Sequence, residues 1–561
     1  MTRPLHAIAS DFFTNMGRQF PQQCLSDEFY FLPRSEAAVQ YSGNLDDLTP
    51  EGIQGHIRYV RDLLREIPPG TGDDLEEEID CLLLKQSMES FIREYADAES
   101  WRDDSTLYIK IPLFATDGVL SQQESAAEEV KSSLLTLFAQ IPSFLDLAAK
   151  NLRTPSEISL QVALNMVQDA LQFHTRDIRA YIEERVEKNG ELLERNQRVT
   201  EAWEGYKREL LQLPSRKSFA IGGDGLKKII DISLGYPKSL EEIQEIAQHA
   251  YRETQQKIRE RVREIDSRKS WKYIIYEGFP SVSSPEEVMQ LYQQEVENLR
   301  RFFYAHDIIP FPPGEEVAVL QTPSYLQSLR ATASYRAPST GNTKSPGIFY
   351  ITPGKMDLRL ISGHCPYLCA HETYPGHHIL DHLRIHHANS TRRQIESPLF
   401  YEGWASYAEQ LLDELGYVED PRKQLVLLKR QLWRNLRAML DIELQTGRKS
   451  LAHAAAEIEK LGFSTRRAQR QVRRFALTPG YQLCYSMGNH EIIRLRQRFS
   501  PDLALKTFHD TLLNGGQIPF HLAERRLETS LGKEMIMPND KAQSSNKCQM
   551  TNAKSKMIND K

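Results

Sequence analysis

Apolar residues recur at helical spacing between charged ones along most of the first three hundred positions, a pattern typical of amphipathic helices. Local start signals accompany the periodicity. Ser239 can cap a helix that runs towards Asp266, and Glu242 stands three residues later, as in a capping box. Ser284 followed by Pro285 marks a second helix start. Helix is therefore the predicted structure for this part of the chain.

The pattern changes between Pro310 and Pro366, where prolines, glycines, serines and threonines accumulate. Within this stretch the run GIFYIT, from Gly347 to Thr352, is β-branched and aromatic and predicts a short strand. Helical periodicity then returns in seven blocks, at 367–386, 399–415, 420–446, 449–461, 464–475, 482–498 and 502–530. The fold class predicted is mainly α, with a short β-sheet.

Three regions are expected from these changes: an N-terminal helical region at 1–309, a second region at 310–530, and a polar tail at 531–561. The tail has almost no aromatic residues, so it cannot bury enough surface to offset the entropy of ordering. It is predicted to be disordered.

Composition limits the partners and the location. A net charge of −6 lacks the basic excess with which proteins neutralise phosphates, so nucleic acid is not an expected partner. The N-terminus does not resemble a secretory signal, and no run of uncharged apolar residues is long enough to span a membrane. The 6 cysteines of this chain are too scattered to form a disulfide framework. These features predict a soluble, cytoplasmic protein without a membrane partner.

The segment from Cys369 to Asp381, CAHETYPGHHILD, carries the candidate chemistry. Hydrolytic zinc sites commonly use two imidazoles and a carboxylate, and a glutamate beside the first histidine can take a proton from water. His371 and Glu372 form such a pair. In the usual HExxH spacing both histidines project from one helix face, but His377 comes six residues after His371, about 240° round a straight helix.

Pro375 and Gly376 stand between the two histidines. Proline lacks an amide hydrogen and glycine tolerates unusual dihedral angles, so the helix is predicted to be bulged or unwound here. That distortion would bring His371 and His377 together. His378 is the alternative second ligand, because two helical turns return it to about 20° from His371, although roughly 10 Å further along the axis.

The motif HETYPGHH, followed by EGWASYAEQL from Glu402 onwards, resembles the bacterial family known as domain of unknown function 885, with its pattern HE-x-x-PGHH and then EGW. That family is similar to the zincins, and within them to the gluzincins, in which a glutamate from a second helix completes the metal site. The resemblance implies that residues 310–530 form a zincin-like catalytic region in a large helical body, with the sheet beside the metal-binding helix. It implies Zn²⁺ held by His371, His377 and Glu402, with Glu372 as general base.

The resemblance also implies two roles around the metal. The strand GIFYIT would line the cleft and pair with an extended peptide by strand addition. Tyr485, within PGYQLCYSMG, would stabilise the tetrahedral intermediate; Tyr481 and His490 are the alternatives for this oxyanion role.

The nearby acids and thiols also have alternative interpretations. Glu402 is either the third ligand or a helix N-terminal acid, and in the second case Glu409, two turns later, is the substitute carboxylate. Asp381 is either a hydrogen-bond acceptor for the ring of His377 or a solvated acid. Cys365 and Cys369 are expected to pack as small apolar residues, because a structural thiolate site needs four ligands.

The function expected is a zinc metallopeptidase that hydrolyses amide bonds of short or unfolded peptides with a metal-activated water. Two alternatives differ in class. One is a zinc amidase acting on a specialised small molecule, because family membership does not determine substrate. The other is a non-catalytic helical binding protein that retains a zincin-like shell.

Overall fold

The computed structural model describes residues 3–26, 28–68, 74–121, 127–187, 189–327, 332–338 and 346–536. Helices dominate these residues. Those before the sheet are α1 (Leu5–Gln19), α2 (Pro21–Leu25), α3 (Pro50–Glu66), α4 (Leu75–Ile92), α5 (Ser100–Asp103), α6 (Leu107–Leu120), α7 (Ala127–Asn151), α8 (Glu157–Gln172), α9 (Arg179–Arg185), α10 (Gly190–Gln212), α11 (Gly222–Lys228), α12 (Leu240–Asp266), α13 (Trp271–Glu277) and α14 (Pro285–His306).

After the sheet follow α15 (Ile361–Glu372), α16 (His377–Ile385), α17 (Ser390–Arg393), α18 (Pro398–Glu414), α19 (Pro421–Gln445), α20 (Leu451–Glu459), α21 (Thr465–Leu477), α22 (Cys484–Phe499), α23 (Leu505–Leu513) and α24 (Phe520–Ile536). Short 3₁₀ turns lie at Glu36–Tyr41, Ser324–Leu326 and Pro353–Lys355, and π-helical turns at Arg93–Asp97, Phe173–Ile178 and Ile229–Ser233. The mainly α fold class predicted from the pattern is confirmed.

Both predicted helix starts are confirmed by their hydrogen bonds. The side chain of Ser239 accepts from the backbone N–H of Glu242, and the Glu242 carboxylate accepts from the backbone N–H of Ser239, which completes a capping box. The side chain of Ser284 caps α14 by accepting from the backbone N–H of Glu287, with Pro285 at the first helical position. Each side chain satisfies an amide that the helix itself leaves unpaired.

The last of the predicted helical blocks contains a break. The block at 502–530 divides into α23 and α24, because Gly516 takes a positive φ of 78° and Pro519 follows it. Helix α24 continues to Ile536, so the first residues of the predicted polar tail are helical. The rest of that tail, 537–561, lies outside the described residues.

The three described strands form one sheet in the order β1–β3–β2, with β1 at Val317–Gln321, β2 at Ala333–Arg336 and β3 at Gly347–Ile351. The predicted strand GIFYIT is confirmed as β3. It pairs in parallel with β1 and antiparallel with β2, so it is the central strand. The expectation that this strand adds a substrate strand is therefore wrong, since the backbone groups at both its edges already belong to the sheet.

Two hydrophobic cores organise the described residues. One collects buried side chains of α1 to α10, and the other runs from α4 to α24 and includes β1 and β3. Residues on both sides of position 310 share the second core: Val288 and Tyr292 of α14 belong to it together with Cys365 and Cys369 of α15. The domain boundary near 310 stays a prediction.

Among the described residues, α7 is the one helix whose length and composition would allow it to cross a membrane. Its side chains Leu134, Leu137 and Ile141 are fully buried within the first core. A buried core helix of a soluble protein meets the same criteria of length and composition. This helix therefore gives little support to a membrane association.

Candidate metal centre

The helix that carries the histidine motif is interrupted between the two histidines. Helix α15 ends at Glu372, and α16 begins at His377. The link contains a cis peptide bond between Tyr374 and Pro375, and Gly376 has φ −76° and ψ −130°, outside the helical region. The predicted distortion is confirmed as an unwound link, which redirects the chain so that His377 faces His371.

Gly376 is required by a close approach of the backbone to the end of α15. A Cβ atom at this position would lie 2.0 Å from the carbonyl oxygen of His371 and 2.3 Å from that of Ala370. Neither oxygen can retreat without moving the helix that carries the first histidine.

We expect Gly376→Ala to lower the free energy of unfolding by about 3 kcal/mol, because the methyl group must displace helical backbone. Thermal or urea unfolding measures the change. Gly354→Ala is the matched control, since a Cβ atom there meets nothing within 4 Å. Equal stability of the two variants would contradict the close approach.

His371, His377 and Glu402 form a compact buried group. One ligand atom from each residue can be chosen so that all three lie within 4.8 Å of one another. The Oε2 atom of Glu402 is 3.4 Å from Nε2 of His371 and 3.8 Å from Nε2 of His377. The structure thus brings together the three residues that the sequence predicted as ligands.

Glu402 does not act as a helix-capping acid. Helix α18 begins at Pro398, and the side chain of Ser397 caps it by accepting from the backbone N–H of Phe400. Glu402 lies beyond the first turn, and its side chain is buried towards the two histidines rather than at the helix start.

His378 points to a different set of groups. Its Nε2 atom lies 3.0 Å from Oε2 of Glu315, and its Nδ1 atom lies 3.3 Å from the hydroxyl of Tyr335. Arg300 also donates to Glu315. The choice between the adjacent histidines therefore favours His377, and His378 connects α16 to the segment before β1.

The two oxygens of Glu402 have different surroundings. Oε1 accepts a hydrogen bond of 2.6 Å from the hydroxyl of Tyr481. Oε2 is buried and has no hydrogen-bond donor among the described residues, although two imidazoles face it. A buried carboxylate oxygen without a partner is unfavourable, and two imidazoles with one carboxylate are a donor set that suits zinc. The residues present therefore fit a zinc ion.

Glu409 holds the other side of the His371 ring. Its Oε1 atom is 2.9 Å from Nδ1 of His371, so this carboxylate orients the first histidine and is not the substitute ligand considered from the sequence. Arg430 donates to both oxygens of Glu409 at 2.7 and 2.6 Å, and Arg434 donates to both as well. With Nδ1 held by Glu409, the Nε2 atom of His371 is the one directed at Glu402 and would be the atom that binds a metal ion.

His377 is positioned by a ring contact. Tyr401 stacks on it with a centroid distance of 3.9 Å and an interplanar angle of 11°. The Tyr401 hydroxyl donates to Asp381 at 2.8 Å, and Arg384 donates to the same carboxylate. Asp381 thus fixes Tyr401, and the expectation that it accepts from the ring of His377 is wrong.

Burial and the charges of neighbouring residues shift the pKa values of all three predicted ligands. Burial opposes a charge on His371, but the carboxylates of Glu402 and Glu409 outweigh it and raise the pKa of His371 to about 9. Burial and the neighbouring His371 lower the pKa of His377 to about 3. Burial is likewise outweighed at Glu402, whose pKa lies well below its usual range because both histidines favour its charge.

Glu372, the predicted general base, lies at the last residue of α15, directly after the first histidine. Its Oε2 atom accepts the backbone N–H of Tyr335 in β2 at 3.2 Å. Burial, supported by the charge on Glu402, raises the pKa of Glu372 to about 7. The edge strand β2, rather than β3, is therefore the strand that contacts the candidate base.

Tyr485 and Tyr481 lie on the same side of Glu402. Tyr481 is the residue that donates to Glu402, so it orients the carboxylate. Tyr485 is partly exposed, packs edge-on against Tyr481 at 5.8 Å, and its phenol interacts with Glu402. It stays the candidate for the oxyanion role. The charged neighbours of His490 are instead Glu491 and Lys238.

Helices α18 and α22 cross at two glycines next to these residues. A Cβ atom on Gly403 would lie 2.5 Å from the carbonyl carbon of Gly488, and one on Gly488 would lie 2.0 Å from the oxygen of Leu399. The backbones of α18 and α22 are therefore in direct contact beside Glu402 and Tyr485.

The cysteines near the motif do not join the site. Cys365 and Cys369 are buried with their sulfur atoms 3.8 Å apart, and both belong to the second hydrophobic core. They pack as apolar residues, as expected from the sequence. All described cysteines are free thiols.

Comparisons with known proteins give the family and, through solved structures, the fold. The family described as bacterial protein of unknown function (DUF885) matches residues 34–527. A search of curated proteins finds no match. A crystal structure of a candidate lipoprotein from Colwellia psychrerythraea superposes with a TM-score of 0.79 and 19% identity, covering 95% of this chain and 100% of that one. A candidate lipoprotein of unknown function from Shewanella oneidensis gives 0.72 and 17%, covering 93% and 99%.

Proposed function

The chain belongs to the family described as bacterial protein of unknown function (DUF885), and we propose that it is a zinc-dependent metallopeptidase with the ligand set of a gluzincin. His371 and His377 come from one interrupted motif and Glu402 from a second helix, which is the arrangement that defines this class of zincin. The predicted substrates are short or unfolded peptides.

The observation that carries the proposal is the Oε2 atom of Glu402. It is buried without a hydrogen-bond donor among the described residues, yet it faces the Nε2 atoms of His371 and His377. Buried carboxylate oxygens are normally satisfied by donors or by metals. Glu409, which fixes His371 from its Nδ1 side, supports the same interpretation, because metal-binding histidines usually have such an acceptor.

The chemistry divides among few groups. When bound, zinc would polarise the carbonyl group of the substrate and lower the pKa of a water molecule. Glu372 accepts the proton of the attacking water and delivers it to the leaving amine. Tyr485 donates its phenolic hydrogen to the oxygen that becomes negative. Tyr481 keeps Glu402 in one orientation throughout.

Metal removal tests the proposal as a whole. We expect the purified protein to contain one zinc ion per chain and to hydrolyse members of a panel of short peptides. Chelation should abolish hydrolysis. Added zinc should restore it, because we expect the three ligand residues to keep their positions when the ion is removed. The release of free amine measures hydrolysis, and elemental analysis measures the metal content.

The panel also separates the alternatives. Cleavage restricted to non-peptide amides would favour the small-molecule amidase, and bound zinc with no hydrolysis of any compound would favour the binding protein. Absence of bound zinc at saturating metal would contradict the proposal. The predicted cytoplasmic location stays a prediction.

A further inference from the structure

Two arginines beside Tyr485, Arg437 and Arg474, form no ion pair among the described residues. The guanidinium of Arg437, on α19, lies 3.8 Å from the ring centroid of Tyr485. Its hydrogen bonds go to the amide oxygen of Gln482, at 3.1 and 2.6 Å. Among the described residues, no carboxylate oxygen lies within ion-pair distance of Arg437. A neutral amide satisfies these donors without forming an ion pair, and the carboxyl of Asp441 acts on Arg437 only through space.

Arg474, on α21, is the second of these arginines. The phenols of Tyr30, Tyr485 and Tyr481 and the carboxylate of Glu28 act on its charge, and Tyr30 is hydrogen bonded to it. Its side chain remains accessible to solvent, and within the described part of the chain it forms no ion pair. The charge of Arg474 is thus available to a ligand that approaches Tyr485.

The neighbouring arginines of α19 show the contrast. Arg430 and Arg434 are both bound to the carboxylate of Glu409, and their charges serve to hold His371. One helical turn later, Arg437 points instead to Tyr485. The same helix therefore supplies two arginines that are ion-paired behind the metal centre, and beside it Arg437, for which no ion pair is found among the described residues.

A cavity of about 490 Å³ lies next to the segment that follows Arg474, and Tyr30 and residues 476–479 line it. Phe29, Phe31 and Phe219 line it as well, together with charged side chains that include Glu28, Asp104 and Lys228. No residue of the metal centre lines it, but Tyr30 stacks on Tyr481 at 4.0 Å and so separates the cavity from Glu402. The volume is within the range of small-ligand sites.

We propose, on the basis of the proposed peptidase function, that the substrate is a peptide whose free terminal carboxylate is bound by Arg437 and Arg474. A carboxylate matches the planar donor geometry of a guanidinium, and two guanidiniums that form no ion pair within the described part of the chain, beside one accessible phenol, make a site for such an anion. The terminal side chain extends past Tyr30 into this cavity. Hydrolysis then adds water across an amide bond near the carboxyl end, which leaves a carboxylate on one fragment and a free amine on the other.

Binding to the zinc-loaded Glu372→Gln protein tests this directly, since the peptide is not consumed. Calorimetry compares three short peptides. Two end in the same aromatic residue, one as the free acid and one as the C-terminal amide. In the third, aspartate replaces the aromatic residue and the C-terminus is again an amide. We expect the free acid to bind at least about 30-fold more tightly than either amide, as hydrogen bonds to charged groups allow. Arg437→Gln and Arg474→Gln, each added to Glu372→Gln, should each reduce that preference about 10-fold.

The control on the same helix is Arg466→Gln, because Arg466 is exposed at the far end of α21. It should keep the full preference. Equal binding of free acid and amide, no binding of either, or binding of the aspartyl amide as tight as the free acid would overturn the proposal.

Hydrolysis by the unmutated protein distinguishes this failure from failure of the proposed function. If it cleaves free and amidated peptides equally well, the peptidase proposal stands and the carboxylate site falls. If it cleaves neither, while the free acid still binds preferentially and the arginine substitutions remove the preference, the carboxylate site stands and the peptidase proposal falls.

Discussion

Replacement of Glu372 by glutamine is expected to lower kcat by about 10²- to 10⁴-fold while zinc stays bound. Glutamine keeps the size of the side chain and can still accept the backbone N–H of Tyr335, so β2 and the end of α15 should keep their positions. It cannot take a proton from water. The loss should therefore appear in kcat, measured with saturating peptide, and not in metal content measured by elemental analysis.

Glu295→Gln is the control for the loss of a partly buried carboxylate. Glu295 accepts one hydrogen bond, from Tyr417, and contacts none of the proposed ligands. Its replacement should leave kcat within about 2-fold, since it takes no part in the proton transfer. Undiminished turnover in the Glu372→Gln protein would end the assignment of the base.

His377→Ala is expected to weaken zinc binding by more than about 100-fold, whereas His378→Ala should keep zinc. The two histidines are adjacent, but only the Nε2 atom of His377 faces Glu402, and that of His378 faces Glu315. Glu402→Ala should behave like His377→Ala. Dialysis against a competing chelator, followed by metal analysis, gives the affinities.

His378→Ala is also the matched control for folding. Loss of His378 removes one hydrogen bond from buried Glu315, which keeps Arg300 and Tyr374 as donors. Circular dichroism should therefore report folded protein in all three variants. Full zinc occupancy in His377→Ala, or loss of zinc confined to His378→Ala, would reverse the choice of the second ligand.

The local features of the site could be predicted from the sequence because their signals are local. Pro375 and Gly376 indicated an interruption between the histidines, and the structure has one at that place. The aromatic and β-branched run at β3 indicated a strand. The break before α24 also had a signal, in Gly516 and Pro519, which the longer helical periodicity masked.

The contacts between distant segments could not be predicted. Whether β3 is a central or an edge strand depends on β1 and β2, which are short and carry weak periodicity. The partners of Glu409 come from α19, and their pairing with an acid on α18 is decided by how two helices pack, not by spacing within either. Asp381 has a suitable spacing from His377, yet packing gives it to Tyr401 and Arg384.

The glycine crossing of α18 and α22 has a consequence for how this site can change. Because Gly403 and Gly488 let two main chains touch, the separation between the helices of Glu402 and Tyr485 is set by backbone radii and cannot be adjusted by exchanging one side chain for a slightly larger one. Variation in substrate preference should therefore accumulate at side chains around the crossing, such as the arginines of α19 and α21. The two glycines fix the distance between the helices, so a larger residue at either position requires the two helices to move apart.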